Sequence, residues 1–342
     1  TIGNELLSTT MHIVMKEWRD NIYTSTAFLE AQTRIHGEGG PTQAGGTRIV
    51  QPLGFGEHSN TTRLQTGYER IDLSVSDVFQ PAVYDFAHVV RPIAISAEEE
   101  LTNQGDAAIL SILENRVTSV ASALKREYVK HMVQGGVSGW DDWNTLNGID
   151  VTDGFLENAA AGGGSQAASV GSVSKSTFSS KTGWNNQYFD GSDSFNSNGL
   201  AGLYDLLVEI NAVSAEGNPN VILASRSGFK NLKRSLQASE RYMDEKSLDG
   251  GKMSTMFQGV PIDVEYYMPN AGAQSSTTEA SFYMLNMNDI YTLWDPKGFF
   301  DLSDFETVSG EYDVRAAKLR VRGQLIAKHL GSSGLAVNLD TF

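Results

Sequence analysis

The sequence predicts an α+β fold in which an extended two-stranded ribbon, one long helix and a late return strand frame a mixed lobe. Three patterns carry this reading. Helical spacing gives way to a two-residue period near residue 46; an apolar stripe at helical spacing runs from about Ala107 to Gln134; and polar and apolar residues alternate from Lys318 to Gln324.

Taken in order, residues 1–45 form an N-terminal arm. Leu6, Leu7, Met11, Val14, Met15 and Trp18 recur by threes and fours, and the pattern closes on Gly37-Glu38-Gly39-Gly40-Pro41, read as a flexible joint. Residues 46–80 read as a long hairpin. Arg48 to Leu53 makes the outgoing strand, Gly54 to Gly67 a polar tip, and Ile71, Leu73 and Val75 the returning strand. Such a ribbon is marginal alone in water and leaves two open edges, so it needs a surface to lie on. Ala82 to Ile95 is a second strand pattern. Ser96 followed by Glu99 is a capping box, and the Glu98-Glu99-Glu100 run sits where a helix dipole favours anions.

The long helix follows, with Leu113, Val117, Val120, Leu124, Tyr128 and Met132 in one stripe and Gly135-Gly136 as its stop. Residues 81–149 thus form one domain containing this helix. Residues 150–198 are rich in Gly, Ser and Asn and are placed as an insertion loop at a surface or around an assembly axis. From 199 to 280 helices and strands alternate: Leu203, Leu207 and Ile210 share a helical face, Val221-Ile222-Leu223 is a short buried strand, and Phe229, Leu232 and Leu236 mark a second helix. Residues 281–342 supply return strands that complete the earlier domain.

Composition narrows the function classes. Acidic residues outnumber basic ones 41 to 26, for a formal charge of -15, so gripping nucleic acid is not the primary task. The same surplus is compatible with a container wall that must not hold DNA back, but many soluble enzymes are equally acidic, and that plainer explanation is the one preferred. No cysteine is present, which excludes disulfides and thiolate chemistry and fits a reducing compartment. No stretch reaches the roughly 20 apolar residues of a membrane span, so a soluble cytoplasmic chain is expected.

The search for catalytic chemistry yields no site. No zinc-protease helix, nucleophile elbow or dinucleotide fingerprint occurs. Gly250-Gly251-Lys252 resembles part of a phosphate loop, but Met253 stands where a magnesium-binding hydroxyl is needed. The histidines at 12, 36, 58, 88, 131 and 329 lack ligand spacing. Asp190, Asp193, Asn196 and Asn198 have calcium-like intervals without the closing glutamate, and a polar turn is the reading preferred. Asn60-Thr61-Thr62 is a glycosylation sequon only by its letters. No catalytic residue, cofactor or metal is expected.

One positive feature remains, the basic row Lys318, Arg320 and Arg322 on a late strand of an acidic chain. It reads either as a solvated face that discourages edge pairing or as a contact with a neighbouring copy, whose hairpin could offer Glu69 and Asp72. The candidate intersubunit residues are Trp18, Arg48, Arg63, Glu69, Arg70, Asp72, Lys318, Arg320 and Arg322.

The order of arm, hairpin, strand, short helix, spine helix, mixed lobe and return strand resembles the Hong Kong ninety-seven-like fold of tailed-bacteriophage major capsid proteins. Leu146-Asn147-Gly148-Ile149 is similar to the turn that follows the family's spine helix, and Gln258-Gly259-Val260-Pro261-Ile262 to a strand start of its axial domain. The resemblance implies a non-enzymatic virion shell protein, assembled in a bacterial cytoplasm from hexamers and pentamers of itself. It further implies a scaffolding protein, a portal, a decoration protein in some relatives, and enclosed double-stranded DNA bound without sequence specificity. Some relatives weld subunits through a lysine, but residues 46–80 contain none, so noncovalent assembly is expected. The sequence starts at the arm, from which either a separate scaffolding protein or a cleaved leading segment is expected. Two other readings stand beside this one: an encapsulin-type compartment shell and, more distantly, a carbohydrate-binding or adhesive protein.

Overall fold

The computed structural model describes residues 27–37, 40–54, 78–102, 112–148, 154–156, 169–175, 184–191, 195–214, 217–237, 254–268, 280–307 and 313–339, with single positions at 63, 65, 67 and 70. Helix α1 (Ala27–His36) precedes strands β1 (Arg48–Gly54), β2 (Phe79–Asp85) and β3 (Ala87–Ser96), the short helix α2 (Ala97–Thr102) and the long helix α3 (Ile112–Gln134). Short strands follow: β4 (Thr145–Asn147), β5 (Gly154–Leu156), β6 (Ser169–Val170), β7 (Val173–Ser174) and β8 (Gln187–Asp190). Then come α4 (Leu200–Val213), β9 (Val221–Ala224), α5 (Arg226–Gln237), β10 (Ser254–Phe257), β11 (Val260–Val264), β12 (Ala280–Leu285) and β13 (Ile290–Trp294). The chain closes with β14 (Asp301–Leu302), β15 (Glu306–Thr307), the long β16 (Val314–Ala327) and β17 (Gly334–Val337). No helix among the described residues is long and apolar enough to cross a membrane.

The chain divides into two units. The described part of the smaller lies within Val90–Arg126 and Phe300–Val321. There the first half of β16 pairs with β14 and β15 and alternates as its sequence predicts: Ala317, Leu319 and Val321 are buried with Ile93, Ile95 and Leu124, while Lys318 and Arg320 are exposed. The capping box forms reciprocally, Glu99 N–H donating to Ser96 Oγ and Ser96 N–H to Glu99 Oε2, each at 3.3 Å.

The larger unit takes in Ser25–Val89, Glu127–Phe299 and Arg322–Phe342. Its centre is a six-stranded sheet in the order β10-β11-β9-β12-β17-β8, with the β11/β9 and β17/β8 pairs parallel. On one face, Leu203, Leu206, Leu207 and Ile210 of α4 and Phe229 and Leu232 of α5 pack on Ile222, Ile262, Phe282, Met284 and Ala336. The other face receives α1, whose Phe28 N–H donates to the buried Glu265 carboxylate at 3.0 Å, an anion at a helix start. It also receives the end of α3, where the Val133 carbonyl accepts from the Tyr283 hydroxyl at 3.3 Å. Because both faces are covered, β9 is buried along its whole length, as its unbroken apolar run requires.

Helix α3 spans 23 residues, about 34 Å, and ends in a buried aromatic cluster. Tyr128 lies 5.2 Å from Trp294, 5.8 Å from Trp140 and 5.9 Å from Trp143 between ring centroids. Its hydroxyl pairs with Thr292 Oγ1 at 2.7 Å. Gly135 and Gly136 take positive φ and stop the helix. The last carbonyls are then satisfied from the following turn: Thr145 Oγ1 donates to Met132 O at 2.9 Å and Asn147 Nδ2 to Gln134 O at 2.7 Å. Gly154 fits against this turn because a Cβ there would sit 2.0 Å from the Asn147 carbonyl oxygen.

Several expectations are revised. The strand expected at 71–75 falls outside the described residues; among those described, β1 pairs with β2, which takes in the first part of the Ala82–Ile95 pattern. That pattern is two strands because its phase slips at Phe86: Ala82 and Tyr84 are buried before it, Ala87, Ile93 and Ile95 after it, which moves the inward face from even to odd positions. The described end of the 37–41 joint is fastened rather than free, since Pro41 O accepts from Trp294 N–H at 3.0 Å and Gln43 N–H, just beyond it, donates to Trp294 O at 2.9 Å. The described parts of 150–198 are also more interior than their composition suggests. Trp184 is buried and donates to Val170 O, Lys175 is buried with its Nζ 2.9 Å from Phe155 O, and β8 joins the central sheet. Finally, the polar alternation of β16 stops short of Gln324, which is buried and fully used. Its Nε2 donates to Asp85 O and Asp142 O, and its Oε1 accepts from Asn144 and Leu325 N–H, all between 2.9 and 3.0 Å. Replacing it with leucine (Gln324→Leu) strands these backbone groups and should destabilise the isolated subunit by roughly 3 kcal/mol in denaturant unfolding; a loss near zero would contradict this accounting.

Candidate intersubunit surface

The root of the ribbon is fastened to its own chain. Ile49, Leu53, Ala82 and Tyr84 turn inward and are buried. Val83 N–H donates to Gly171 O at 2.8 Å, and the Tyr84 hydroxyl donates to Ala327 O at 3.1 Å. Gly171, at φ +57°, must be glycine here because a Cβ would meet the Tyr84 ring at 2.8 Å. Burial of Tyr84 raises its pKa out of reach, keeping the hydroxyl a donor.

The opposite face of the ribbon is apolar and open. Val50 is 60% exposed and Phe79 78%, and between them Pro52 stands directly across from Pro81. A proline has no N–H, so two in register occupy a position without ladder bonds and leave each edge short of a donor at mid-strand. The edges are thereby protected against a further strand, while the face remains free for contact.

The sequence-derived candidates distribute unevenly. Trp18, Glu69 and Asp72 lie outside the described residues, and Arg63 and Arg70 are exposed single positions. Arg48 and Arg322 both come to the ribbon's root. Arg48 pairs with Asp85, its cross-strand partner, at 2.8 Å in full solvent, a geometry worth little energy. Arg322 is held within its own subunit: it bonds Asp295, donates from Nη2 to Gly46 O at 2.9 Å and lies 4.8 Å over the Phe86 ring. Lys318 and Arg320 belong to the smaller unit, where Asp301 stands opposite Arg320 in register. Asp190 of the polar turn accepts from Asn338 Nδ2 at 2.8 Å.

No protein-family model and no curated protein matches the sequence. Solved structures do match in three dimensions. The capsid asymmetric unit of cyanophage A-1(L) is similar at a TM-score of 0.66 and 13% identity, over 99% of both chains. The chain has the Hong Kong ninety-seven-like capsid fold. The capsid of an empty GTA particle computed with C5 symmetry is similar at 0.62 and 14% identity, covering 96% of this chain and 95% of its own. So is the holo-SrpI encapsulin complex from Synechococcus elongatus PCC 7942, at 0.58 and 9% identity, over 99% and 96%.

Within this capsid fold, the surface residues that sequence reasoning passed over are apolar: Val50 and Phe79 on the ribbon, and Leu200, Tyr204 and Val208 on α4. The helix signal was present in the sequence, since α4 is apolar on more than one face and a buried stripe accounts for only one of them.

One charged group of the smaller unit is strongly perturbed. Arg116 forms two bonds to the Glu99 carboxylate, at 2.6 and 2.9 Å, and reaches Ala94 O. These bonds first, and that from Ser96 N–H second, hold Glu99 down at about 2 against an ordinary 4.5. A depressed carboxylate stabilises above its unfolded pKa and loses that contribution as pH falls through 4.5 toward 2. Glu99→Gln should therefore lower the melting temperature at neutral pH, with the gap to wild type closing over that window in thermal scans; a gap unchanged at pH 2 would contradict the assignment.

Proposed function

We propose that this chain is a capsid shell subunit that works by assembling with copies of itself. The observation that carries the reading is the match of the whole chain to capsid subunits, combined with a ribbon whose exposed face is apolar and whose edges are blocked. A two-stranded element of this kind gains nothing from solvent, and a neighbouring copy supplies the surface it lacks. We read the shell as that of a tailed phage, built through hexamers and pentamers, enclosing double-stranded DNA and held without covalent welds. Scaffolding, portal and decoration proteins are the partners expected of such a particle, with the virion as its location. The excess of acidic residues supports a wall that leaves packaged DNA mobile.

On this reading the sequence-derived candidates act as contact residues. Lys318 and Arg320, exposed on β16, keep their charge for a neighbour, whereas Arg322 supports the ribbon root from within. A second reading, an encapsulin-type compartment, is favoured by the likeness to the SrpI shell. The two separate on what the particle contains, nucleic acid or a cargo protein. A carbohydrate-binding role is poorly supported, because all four described tryptophans are buried.

Replacing Phe79 with aspartate places a charge on the open ribbon face without touching the subunit's core. Phe79→Asp should reduce the fraction of assembled protein in sedimentation velocity by roughly tenfold or more while the unassembled subunit melts as wild type does. Undiminished assembly would contradict a role for the ribbon face.

A further inference from the structure

The structure assigns a specific contact to the mixed lobe: we propose that the outer face of α4 on one copy receives the basic face of α5 from the next copy. The inference rests on the shell reading above and adds to it the identity of two mating surfaces.

Helix α4 buries Leu203, Leu206, Leu207 and Ile210 against the sheet, yet its other side carries Leu200, Tyr204 and Val208, which are 41%, 50% and 49% exposed. These three repeat every fourth residue and so form a straight row. Beside the row, Leu236 of α5 and Met256 and Phe257 of β10 complete a groove of about 580 Å³, with Asp205 in its wall. A helix that is apolar on its outer side as well as its inner side has surface prepared for a partner.

Charge identifies the partner. Helix α4 carries two acids, Asp205 and Glu209, and no base. Helix α5, in the sequence RSGFKNLKRSLQ, carries four bases and no acid, in a chain whose net charge is -15. Arg226, Lys230 and Arg234 are exposed and again repeat every fourth residue. Each row spans eight residue steps, about 12 Å, so the two match in length. Lysine and arginine stems are apolar enough to lie along Leu200, Tyr204 and Val208 while their charged heads reach Asp205. Arg226 also lies 5.4 Å over the Tyr266 ring of its own chain, which leaves Lys230 at the centre of the row as the base set against Asp205. An unrelated acidic protein would complement α5 alone and an unrelated basic protein α4 alone, whereas a second copy of this chain complements both. Since the mating faces are different helices, the contact repeats head to tail and closes into a ring under a suitable rotation.

Charge reversal tests this on the full chain, with assembly read by mass photometry and circular dichroism confirming that each subunit is folded. Asp205→Lys and Lys230→Asp should each cut the assembled fraction by roughly tenfold, and the double variant should regain most of it, because the swapped pair restores attraction. Tyr204→Ser should weaken assembly irrespective of salt. If wild type forms shells and the single variants assemble equally well, or if the double variant is no better than the singles, the contact is overturned and the shell reading stands. If wild type forms no multimer at all, both fall.

Discussion

The larger unit is organised around Tyr128. Its ring lies among Trp140, Trp143 and Trp294, and its buried hydroxyl is matched by Thr292 on β13 and reaches Gln32 of α1 at 3.4 Å. Large aromatic side chains each bury on the order of 150–250 Å² and constrain their neighbours by shape, so this one contact fixes the end of α3, the turn that follows it and the strand β13 together. What lies further out depends on that position. Trp294 holds the backbone of 40–43, and Gln324, one register step from the Trp294–Gly323 pair, ties the end of β2 and the 142–144 turn to β16. The ribbon's root is therefore fastened to the same cluster.

Polar chemistry within the unit serves the same fastening. Glu265 anchors the first turn of α1, Thr145 and Asn147 close the end of α3, and Arg322 is consumed by Asp295, Phe86 and Gly46. The distinctive exposed features are shallow and apolar instead: a ribbon face and a helix row. Surfaces of that kind suit broad contacts that are individually weak and become collective on assembly, as the proposed shell role requires.

Much of this was legible in the sequence. The long helix, its glycine stop, the capping box at Ser96, the mixed lobe and the alternation around Leu319 follow from periodicity and turn chemistry, and their order pointed to the capsid fold. The ribbon's partner strand was not legible, because a phase slip at Phe86 is invisible in a pattern that is apolar on both sides of it. Gln324 falls in phase with the exposed Lys318 and Arg320, so its pattern gives no sign of burial; only the covering of both faces of β16 beyond Val321 buries it. The 150–198 stretch misled by composition: its few aromatic residues, Trp184 and Phe189, matter more than its many glycines and serines. Phe189, for instance, packs on Gly202, where a Cβ would come within 1.9 Å of the ring. Among the charged candidates, sequence alone could not tell the arginine that supports its own fold from the lysine and arginine that remain exposed.

The central claim is that the chain closes into shells through its own surfaces. Cryo-electron microscopy of the purified full-length protein tests this directly. The account predicts uniform hollow particles in which the apolar face of each ribbon lies on a neighbouring copy; isolated subunits at every concentration and ionic condition tried, with the ribbon face open to solvent, would contradict it.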